Sequence, residues 1–423
     1  MTGLDGFLKS FFKSLKSATE GLGFDRMFLS GVTPILLNDV TSGDNIKTDI
    51  HILPHYSDLC GFTNREIKNI VLLFAKFLEK KPRLLLSDDL PVFPDGKKSW
   101  IDKIYQLIVT LYDGYSFSPY IDKRVFNPTL VLYLFKQLEQ LDGQLPKSLL
   151  DHNLLTDEGR IKHIASLPGG SELIMELNQN KSIEIKEISS RFGFQNMIEK
   201  NAKTRIFMGS YLYYMGMLTL GETAESGKQK LNIPNPVTQS LYIDSIAQWI
   251  VKDPGKRDIG FNAAEALTRE GKMAPLRKYI ETTVFPEFHW RDKRWVNELT
   301  IKTIFMCLMM DNVNFLLISE RQSRSGYADL AMLVRPDRRS FQLKDILIEF
   351  KYIKKKDLSV KNIKKLSDTA LFELKPVKKK LTKAKSQAKK YAKELYDEFG
   401  DVMQLTTFVV IAVDFERLLY KKI

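Results

Sequence analysis

The chain has 423 residues and carries 64 Lys and Arg against 51 Asp and Glu, which gives a net charge of +13. Its apolar content of 44% and charged content of 27% are typical of globular proteins and exclude a fibrous or disordered chain; the length predicts two or three domains. The positive charge predicts an anionic partner, with nucleic acid the leading candidate, and the alternative is a cationic surface without a specific partner.

Cysteine, histidine and hydropathy exclude further classes of protein. Cys60 and Cys307 lie far apart in the sequence, which indicates a reducing compartment and no disulfide framework. The five histidines show no zinc-like spacing with them. The sequence shows no signal peptide and no apolar run long enough to span a bilayer. We therefore expect a cytoplasmic protein with no membrane partner, and export without a cleavable signal is left open.

The first 75 residues predict a helix, a strand, a loop and a second helix. Residues 27–32 (MFLSGV) predict a short buried strand. Apolar residues at helical spacing predict the second helix, and they are Ile67, Ile70, Val71, Phe74 and Leu78. The chain has no P-loop motif (GxxxxGKS/T). Residues 96–99 (GKKS) resemble the end of that motif, but residue 91 is not a glycine and no predicted strand precedes them. We expect no ATP cofactor.

Residues 66–280 show a mainly helical pattern. A helix is predicted over residues 101–111, and Asn127 with Pro128 is typical of the start of another. The aromatic stretch 207–218 favours a role in the core over a base-stacking platform. Any protein partner or homo-oligomer contact is expected in this helical region.

Two acidic residues then precede the most informative part of the sequence. Residues 295–305 predict a helix that carries Glu298, and Glu320 closes the apolar run 315–318.

Two strands joined by a turn carry the residues with the clearest chemistry. In residues 327–334 the single charge is Asp329, and in residues 346–352 the charges are Glu349 and Lys351. Side chains alternate along a strand, so Glu349 and Lys351 share a face, and a hairpin brings Asp329 beside them. Two carboxylates and the intervening backbone carbonyl suit Mg²⁺, and the lysine can orient or deprotonate a water. The alternative is a buried strand pair with an incidental ion pair.

The last part of the chain predicts a basic insertion or loop, a helix and a strand. Residues 354–376 are rich in lysine, and residues 377–399 have apolar positions at helical spacing. Residues 405–415 predict a strand covered on both faces, and with strand 346–352 they form a right-handed βαβ unit. The lysines are expected to contact phosphates, with a solvated face as the alternative.

The order of these residues resembles the PD-(D/E)XK nuclease superfamily. Asp329 is followed on the next strand by Glu349 and Lys351, and Gln387 and Tyr391 lie four residues apart on the helix, as in many members of the superfamily. The resemblance implies Mg²⁺ or Mn²⁺ as the metal. The implied metal ligands are Asp329, Glu349 and the carbonyl of Phe350. Lys351 would position the water, and the implied assisting residues are Glu298, Glu320, Gln387 and Tyr391.

The sequence pattern SE…GYADL…ILIEFKY is similar to that of a branch of the superfamily in which the nuclease-like domain follows an AAA-ATPase-like domain. Residues 36–46 and 61–66 resemble the late part of that domain, and residues 112–117 with Asn127-Pro128 resemble its helical part. The nucleotide-binding elements are missing from this sequence. The implied domains are a partial AAA-ATPase-like segment (1–75), a helical lid-like region (76–284) and a nuclease-like domain (285–423).

The expected fold class is α/β, with a partial NTPase-like segment and a helical middle region followed by a nuclease-like mixed sheet flanked by helices. The expected function is metal-dependent hydrolysis of phosphodiester bonds in nucleic acid, with DNA favoured over RNA and little sequence specificity. The alternative is a non-catalytic scaffold that binds nucleic acid or protein and retains a nuclease-like core.

Overall fold

The structure is a computed structural model of the chain. It describes residues 52–81, 96–146, 154–189, 204–287, 297–310, 314–323, 326–335, 338–358, 360 and 362–423, with isolated positions between 10 and 50. The chain forms two compact units, residues 1–142 with 151–241 and residues 143–150 with 242–423. Residues 242–284, which the sequence assigns to the helical region, thus belong to the second unit. Among the helices of the described ranges, none is long and apolar enough to cross a membrane.

The first unit is helical with one small sheet. Its helices are α1 (Asn64–Lys80), α2 (Lys97–Tyr112), α3 (Pro128–Gln140), α4 (Leu154–Ala165), α5 (Gly170–Asn180) and α6 (Arg205–Tyr214). Its strands are β1 (Ser182–Ile185), β2 (Thr219–Thr223) and β3 (Gln229–Asn232), antiparallel in the order β1-β3-β2. The mainly helical pattern did not predict this sheet, because strands of four or five residues are too short to show a two-residue period.

Side-chain capping hydrogen bonds stabilise the N-termini of α1 and α3. Thr63 and Glu66 form a capping box at the start of α1, and the side chain of Asn127 accepts hydrogen bonds from the first turn of α3. Residues 97–99 begin α2 after Gly96, whose φ of 86° lies in the left-handed region. The core role of stretch 207–218 is confirmed, since residues 211–213 are buried.

Two predictions in the first 75 residues are not confirmed. Within the predicted strand 27–32, Phe28 is described, and it is 69% exposed and lies in no strand. The other residues of this predicted strand lie outside the described residues. Residues 36–46, part of the resemblance to the AAA-ATPase-like domain, also lie outside them.

The second unit is a mixed sheet flanked by helices. Its strands are β4 (Phe315–Ser323), β5 (Gly326–Val334), β6 (Asp345–Ile353), β7 (Leu405–Val413) and β8 (Arg417–Lys422). They lie side by side in chain order, with β6 and β7 parallel and the other pairs antiparallel. Its helices are α7 (Pro236–Ile250, which begins in the first unit), α8 (Pro254–Glu270), α9 (Ala274–Tyr279), α10 (Glu298–Met309), α11 (Asp368–Glu373) and α12 (Lys375–Phe399). A π-helical turn, Ile280–Val284, extends α9.

The predicted parallel pair joined by a helix is confirmed as β6, α12 and β7, but two details were wrong. The segment 354–376 holds α11 and two short 3₁₀ turns and is not simply a loop. The last predicted strand ends at Val413, because Asp414 has a φ of 43° and turns the chain into β8. The charged ends of β8 hid it from the apolar pattern, as is common in edge strands.

The sheet packs a different helix on each face. On one face, Ala384 and Ala388 of α12 are fully buried against Val409 and Ile411 of β7. On the other, the ring of Phe305 in α10 lies 5.0 Å from that of Phe350 in β6. Because side chains alternate along β6, residues 347, 349 and 351 face α12 while Phe350 faces α10.

The turn between β5 and β6 is fixed by Asp345, which is completely buried. Its carboxylate accepts hydrogen bonds from the backbone N–H of Val334 at 2.8 Å and of Gln404 at 3.0 Å, and it pairs with Arg339 at 2.5 Å. Charge-assisted hydrogen bonds of this kind are strong in a buried setting. They hold the register in which β5 and β6 meet.

Candidate active site

Strands β5 and β6 separate where their charged residues lie. Their ladder pairs Leu330 with Ile348 and continues toward the turn. On the other side of that pair, Oδ2 of Asp329 accepts a hydrogen bond from the backbone N–H of Phe350 at 2.8 Å. A backbone N–H at the edge of a ladder needs an acceptor, and here a carboxylate supplies it. Asp329 is thereby fixed beside Glu349.

The ammonium of Lys351 lies at the centre of the site. Its Nζ is 2.9 Å from Oε1 of Glu349 and 2.6 Å from the carbonyl oxygen of Phe350. It is also 3.5 Å from Oε1 of Glu298 and 3.9 Å from Oδ2 of Asp329. Three carboxylates from three elements, α10, β5 and β6, thus surround one cation.

For both Glu349 and Lys351, burial and the nearby opposite charge shift the pKa in opposite directions. Glu349 is 2% exposed, and its burial and the nearby charge of Asp329 raise its pKa, while the hydrogen bond from Lys351 lowers it by less. Burial lowers the pKa of Lys351, but the hydrogen bond to Glu349 and the surrounding carboxylates raise it above the usual value. The lysine is therefore an ammonium at neutral pH, and the Glu349 carboxylate is costly to ionise.

Helix α12 contributes Gln387 and Tyr391. Tyr391 is 5% exposed, and its pKa is raised by burial and by the charges of Glu349 and Asp329. Its phenol is therefore protonated and close enough to the carboxylates to sense their charge. The Oε1 atom of Gln387 is buried and has no hydrogen-bond partner in the described part of the chain.

Helix α10 delivers Glu298 from its first turn. The side chain of Asn297 accepts a hydrogen bond from the backbone N–H of Thr300 at 3.0 Å, which starts the helix at Glu298. Sequence reasoning missed this role of Asn297. An Asn followed directly by a helical acid and an apolar run was the signal that could have found it.

Glu320 is placed in part. Its backbone lies in β4, next to the strand that carries Asp329. Its side chain lies outside what the structure describes.

The donor set fits a divalent cation. When all three carboxylates are ionised, they and the one ammonium leave two negative charges in excess, the charge that a divalent cation would balance. Oε2 of Glu349 is buried without a hydrogen-bond partner among the described residues, which is costly unless a cation or water meets it. No ready-made group of three or more His, Cys, Asp or Glu ligands was found in those residues. Two carboxylates, a carbonyl and waters are nonetheless what Mg²⁺ usually accepts.

Comparison with known proteins agrees with this geometry. Residues 296–411 match the family model of the PD-(D/E)XK nuclease superfamily, a span that contains α10, β4 to β6, α12 and most of β7. No curated protein and no solved structure matches the chain significantly. The family match gives no support to an AAA-ATPase-like segment in residues 1–75, which stays a prediction.

The match gives the general class of residues 296–411. Proteins of this superfamily generally use divalent metals such as Mg²⁺ or Mn²⁺, and a nucleic-acid substrate is implied in general terms. Residues 296–411 therefore form a domain of the PD-(D/E)XK nuclease superfamily.

Proposed function

We propose that the chain is a metal-dependent nuclease that hydrolyses phosphodiester bonds, most readily in DNA, with little sequence specificity. The observation that carries the proposal is the convergence of Asp329, Glu349 and Glu298 on the ammonium of Lys351. The uncompensated Oε2 atom of Glu349 supports it further.

Asp329, Glu349 and the carbonyl of Phe350 would hold Mg²⁺ or Mn²⁺. The bound ion would supply Lewis-acid polarisation of the phosphate and a water that is easier to deprotonate. The chain contributes a fixed arrangement, because Asp329 is held by the N–H of Phe350 and Glu349 is locked by burial. Fixed charges need little reorganisation during reaction, which is the usual source of electrostatic catalysis.

Lys351 acts as a hydrogen-bond donor. Since its pKa is raised, the ammonium keeps its proton at neutral pH, and it can orient the attacking water and balance charge that develops on the phosphate. Of the two roles that the sequence left open, orienting the water is favoured over deprotonating it.

The remaining residues assist this centre. Glu298 and Lys351 lie 3.5 Å apart, so Glu298 can hold the ammonium from the side of α10. The buried oxygen of Gln387 can accept a hydrogen bond from a substrate-bound water, and the protonated Tyr391 can donate to a phosphate oxygen. Glu320 is retained in an assisting role on the grounds of its position in β4.

A cleavage assay tests the proposal. Labelled DNA and RNA, single- and double-stranded, are incubated with the full chain and Mg²⁺ or Mn²⁺. Asp329→Asn and Lys351→Ala should each lower the cleavage rate by at least about a hundredfold, since each removes a group that acts at the reacting phosphate. Asp397→Asn, an exposed acid on α12, is the matched control and should leave the rate unchanged. Cleavage that survives both site substitutions contradicts the proposal.

A non-catalytic nucleic-acid-binding scaffold is the second candidate. The same ion pairs are compatible with it, because Lys351, within 4 Å of all three carboxylates, already offsets part of their charge without a metal. The same assay decides between the two: binding of nucleic acid without cleavage in either metal supports the scaffold.

A further inference from the structure

Helix α12 has an unusual charge distribution for a helix packed on a sheet. Residues 375–393 contain nine lysines and no acidic residue. Like charges three or four residues apart on a helix repel each other, so this composition opposes helix formation unless an anion covers it. Among the described residues, Lys378 is ion-paired with Glu373, and Lys380 donates to a backbone carbonyl of β6. Most of the lysines of α12 therefore have no ion-pair partner within the described ranges of the chain.

Besides Lys380, which donates to a backbone carbonyl of β6, three lysines lie on the side of α12 that carries Gln387. Successive residues turn about 100° around a helix, so Lys379, Lys383 and Lys390 project within about 80° of Gln387. All three are exposed, and in the described ranges none of them forms an ion pair or hydrogen bond. We call Lys379, Lys383 and Lys390 the basic row.

Three other lysines lie on the far side of the same helix. Lys378, Lys385 and Lys389 project within about 20° of the direction opposite to Gln387. They are called the opposite lysines here. Lys385 and Lys389 are two residues from Gln387 in sequence, closer along the helix axis than any lysine of the basic row. They therefore match the row in charge and differ from it in direction.

The basic row also has a length that suits a phosphate backbone. At about 1.5 Å per residue, it extends about 12 Å before Gln387 and about 4.5 Å beyond it. One strand of a DNA duplex carries a phosphate about every 3.4 Å along the axis, so the row spans about five phosphates. Gln387 lies within this span, and Tyr391 lies one residue beyond its end.

We infer that the basic row binds the phosphates of one nucleic-acid strand beside the candidate site, whereas the opposite lysines do not contact it. The inference rests on the proposed function for the choice of a nucleic acid as the anion. Phosphate contacts give affinity and orientation without reading the base sequence. The row therefore holds the strand along α12 and takes no part in the chemical step.

The salt dependence of binding tests this inference. Two triple variants of the full chain are compared, Lys379→Ala, Lys383→Ala and Lys390→Ala in one, and Lys378→Ala, Lys385→Ala and Lys389→Ala in the other. Alanine favours helices, and both variants change the net charge equally. Binding of labelled single-stranded and duplex DNA is measured by fluorescence anisotropy with EDTA present, so that no cleavage interferes. Circular dichroism checks that both variants fold.

The basic-row variant should bind more weakly, and the slope of log affinity against log salt should become shallower by about 2 to 3, since three phosphate contacts are lost. The opposite-lysine variant should change that slope by less than about 1. Equal changes in the two variants, or no change in either, overturn the inference. An equal loss of binding to polyglutamate or to anionic lipid vesicles overturns the choice of nucleic acid as the partner.

These outcomes are separate from those of the cleavage assay. A chain that binds DNA through the basic row but cleaves nothing retains this inference and loses the proposed hydrolysis. A chain that cleaves DNA while the basic-row variant keeps the wild-type slope retains the hydrolysis and loses this inference.

Discussion

Glu349 lies in an environment that disfavours the ionised form of its carboxyl group. It is almost completely buried, one of its carboxylate oxygens lacks a partner among the described residues, and burial with repulsion from Asp329 raises its pKa. Perturbed pKa values of this kind are common at functional sites, where burial and neighbouring charges are kept for chemistry at a cost in stability. A cation would relieve it.

Metal binding should therefore be visible as stability. We expect Mn²⁺ or Mg²⁺ to raise the melting temperature of the wild type. At a metal concentration of about 100 times the dissociation constant, the free energy of unfolding should rise by about 2.7 kcal/mol. Glu349→Gln should abolish most of this increase, because the amide supplies no negative charge. The measurement is thermal unfolding with metal and with EDTA.

Glu416→Gln is the matched control for this experiment. Glu416 is a partly exposed acid of the same unit that pairs with Lys355 at 2.9 Å, away from Lys351. It should keep the metal-induced increase. A Glu349→Gln variant that keeps the same increase contradicts the assignment of Glu349 as a metal ligand.

At the scale of elements, one carboxylate joins three parts of the second unit. Asp368 of α11 accepts two hydrogen bonds from Arg277 of α9, one of them at 2.8 Å. It also accepts a hydrogen bond from Arg417 of β8. Glu281, in the π-helical turn, accepts from the backbone N–H of Leu418 at 2.7 Å. The insertion between β6 and α12 is thus tied both to the sheet edge and to a helix before the nuclease-like sequence.

Acid should weaken this connection. The hydrogen bond from Arg277 lowers the pKa of Asp368 below 3.8, against a smaller opposing effect of burial. A carboxylate with a lowered pKa stabilises the fold fully above its unfolded pKa and loses this contribution as the pH falls through its folded pKa. Asp368→Asn should lower the melting temperature slightly at pH 7, and the difference from wild type should shrink below about pH 3.8.

Asp397→Asn is again the control, and it should show no such pH-dependent difference. Asp368 is partly exposed, so solvent screens the interaction and the effect at pH 7 should be small. A difference between Asp368→Asn and wild type that stays constant from pH 7 to well below pH 3.8 contradicts this interpretation.

At the scale of the whole molecule, the second unit is larger than the nuclease-like sequence. The unit includes residues 242–284, where Leu276, Ile280 and Val284 are completely buried. Removing buried side chains of this size costs about 2–5 kcal/mol each. The nuclease-like sheet therefore depends on helices that the sequence assigns to a different region.

Two fragments test this dependence. A fragment that begins at Tyr242 should unfold cooperatively in urea, whereas one that begins at Phe285 should have a much lower midpoint or no cooperative transition, because it lacks α7, α8 and α9 entirely. Both fragments lack Pro146, whose carbonyl accepts a hydrogen bond from buried Arg335, so this loss is common to both. Equal midpoints contradict the dependence.

The sequence by itself determined the elements whose patterns are local. The amphipathic α12 has apolar residues at helical spacing, and the hairpin strands and β7 are short, nearly continuous apolar runs. The charges at 329, 349 and 351 stand out because they interrupt apolar strands. Tertiary structure alone decided how these charges meet. The position of Lys351 among three carboxylates depends on strand separation beyond Leu330 and on the first turn of α10.

Tertiary structure also decided the limits of the nuclease-like unit and the presence of β8 and the small sheet of the first unit. Short strands and edge strands carry weak periodic signals, and their existence depends on neighbours that are distant in sequence. The contacts of α9 with β8 are likewise long-range, and no local pattern encodes them. Local periodicity thus specified the elements and the candidate residues, and long-range packing specified the geometry in which those residues can act.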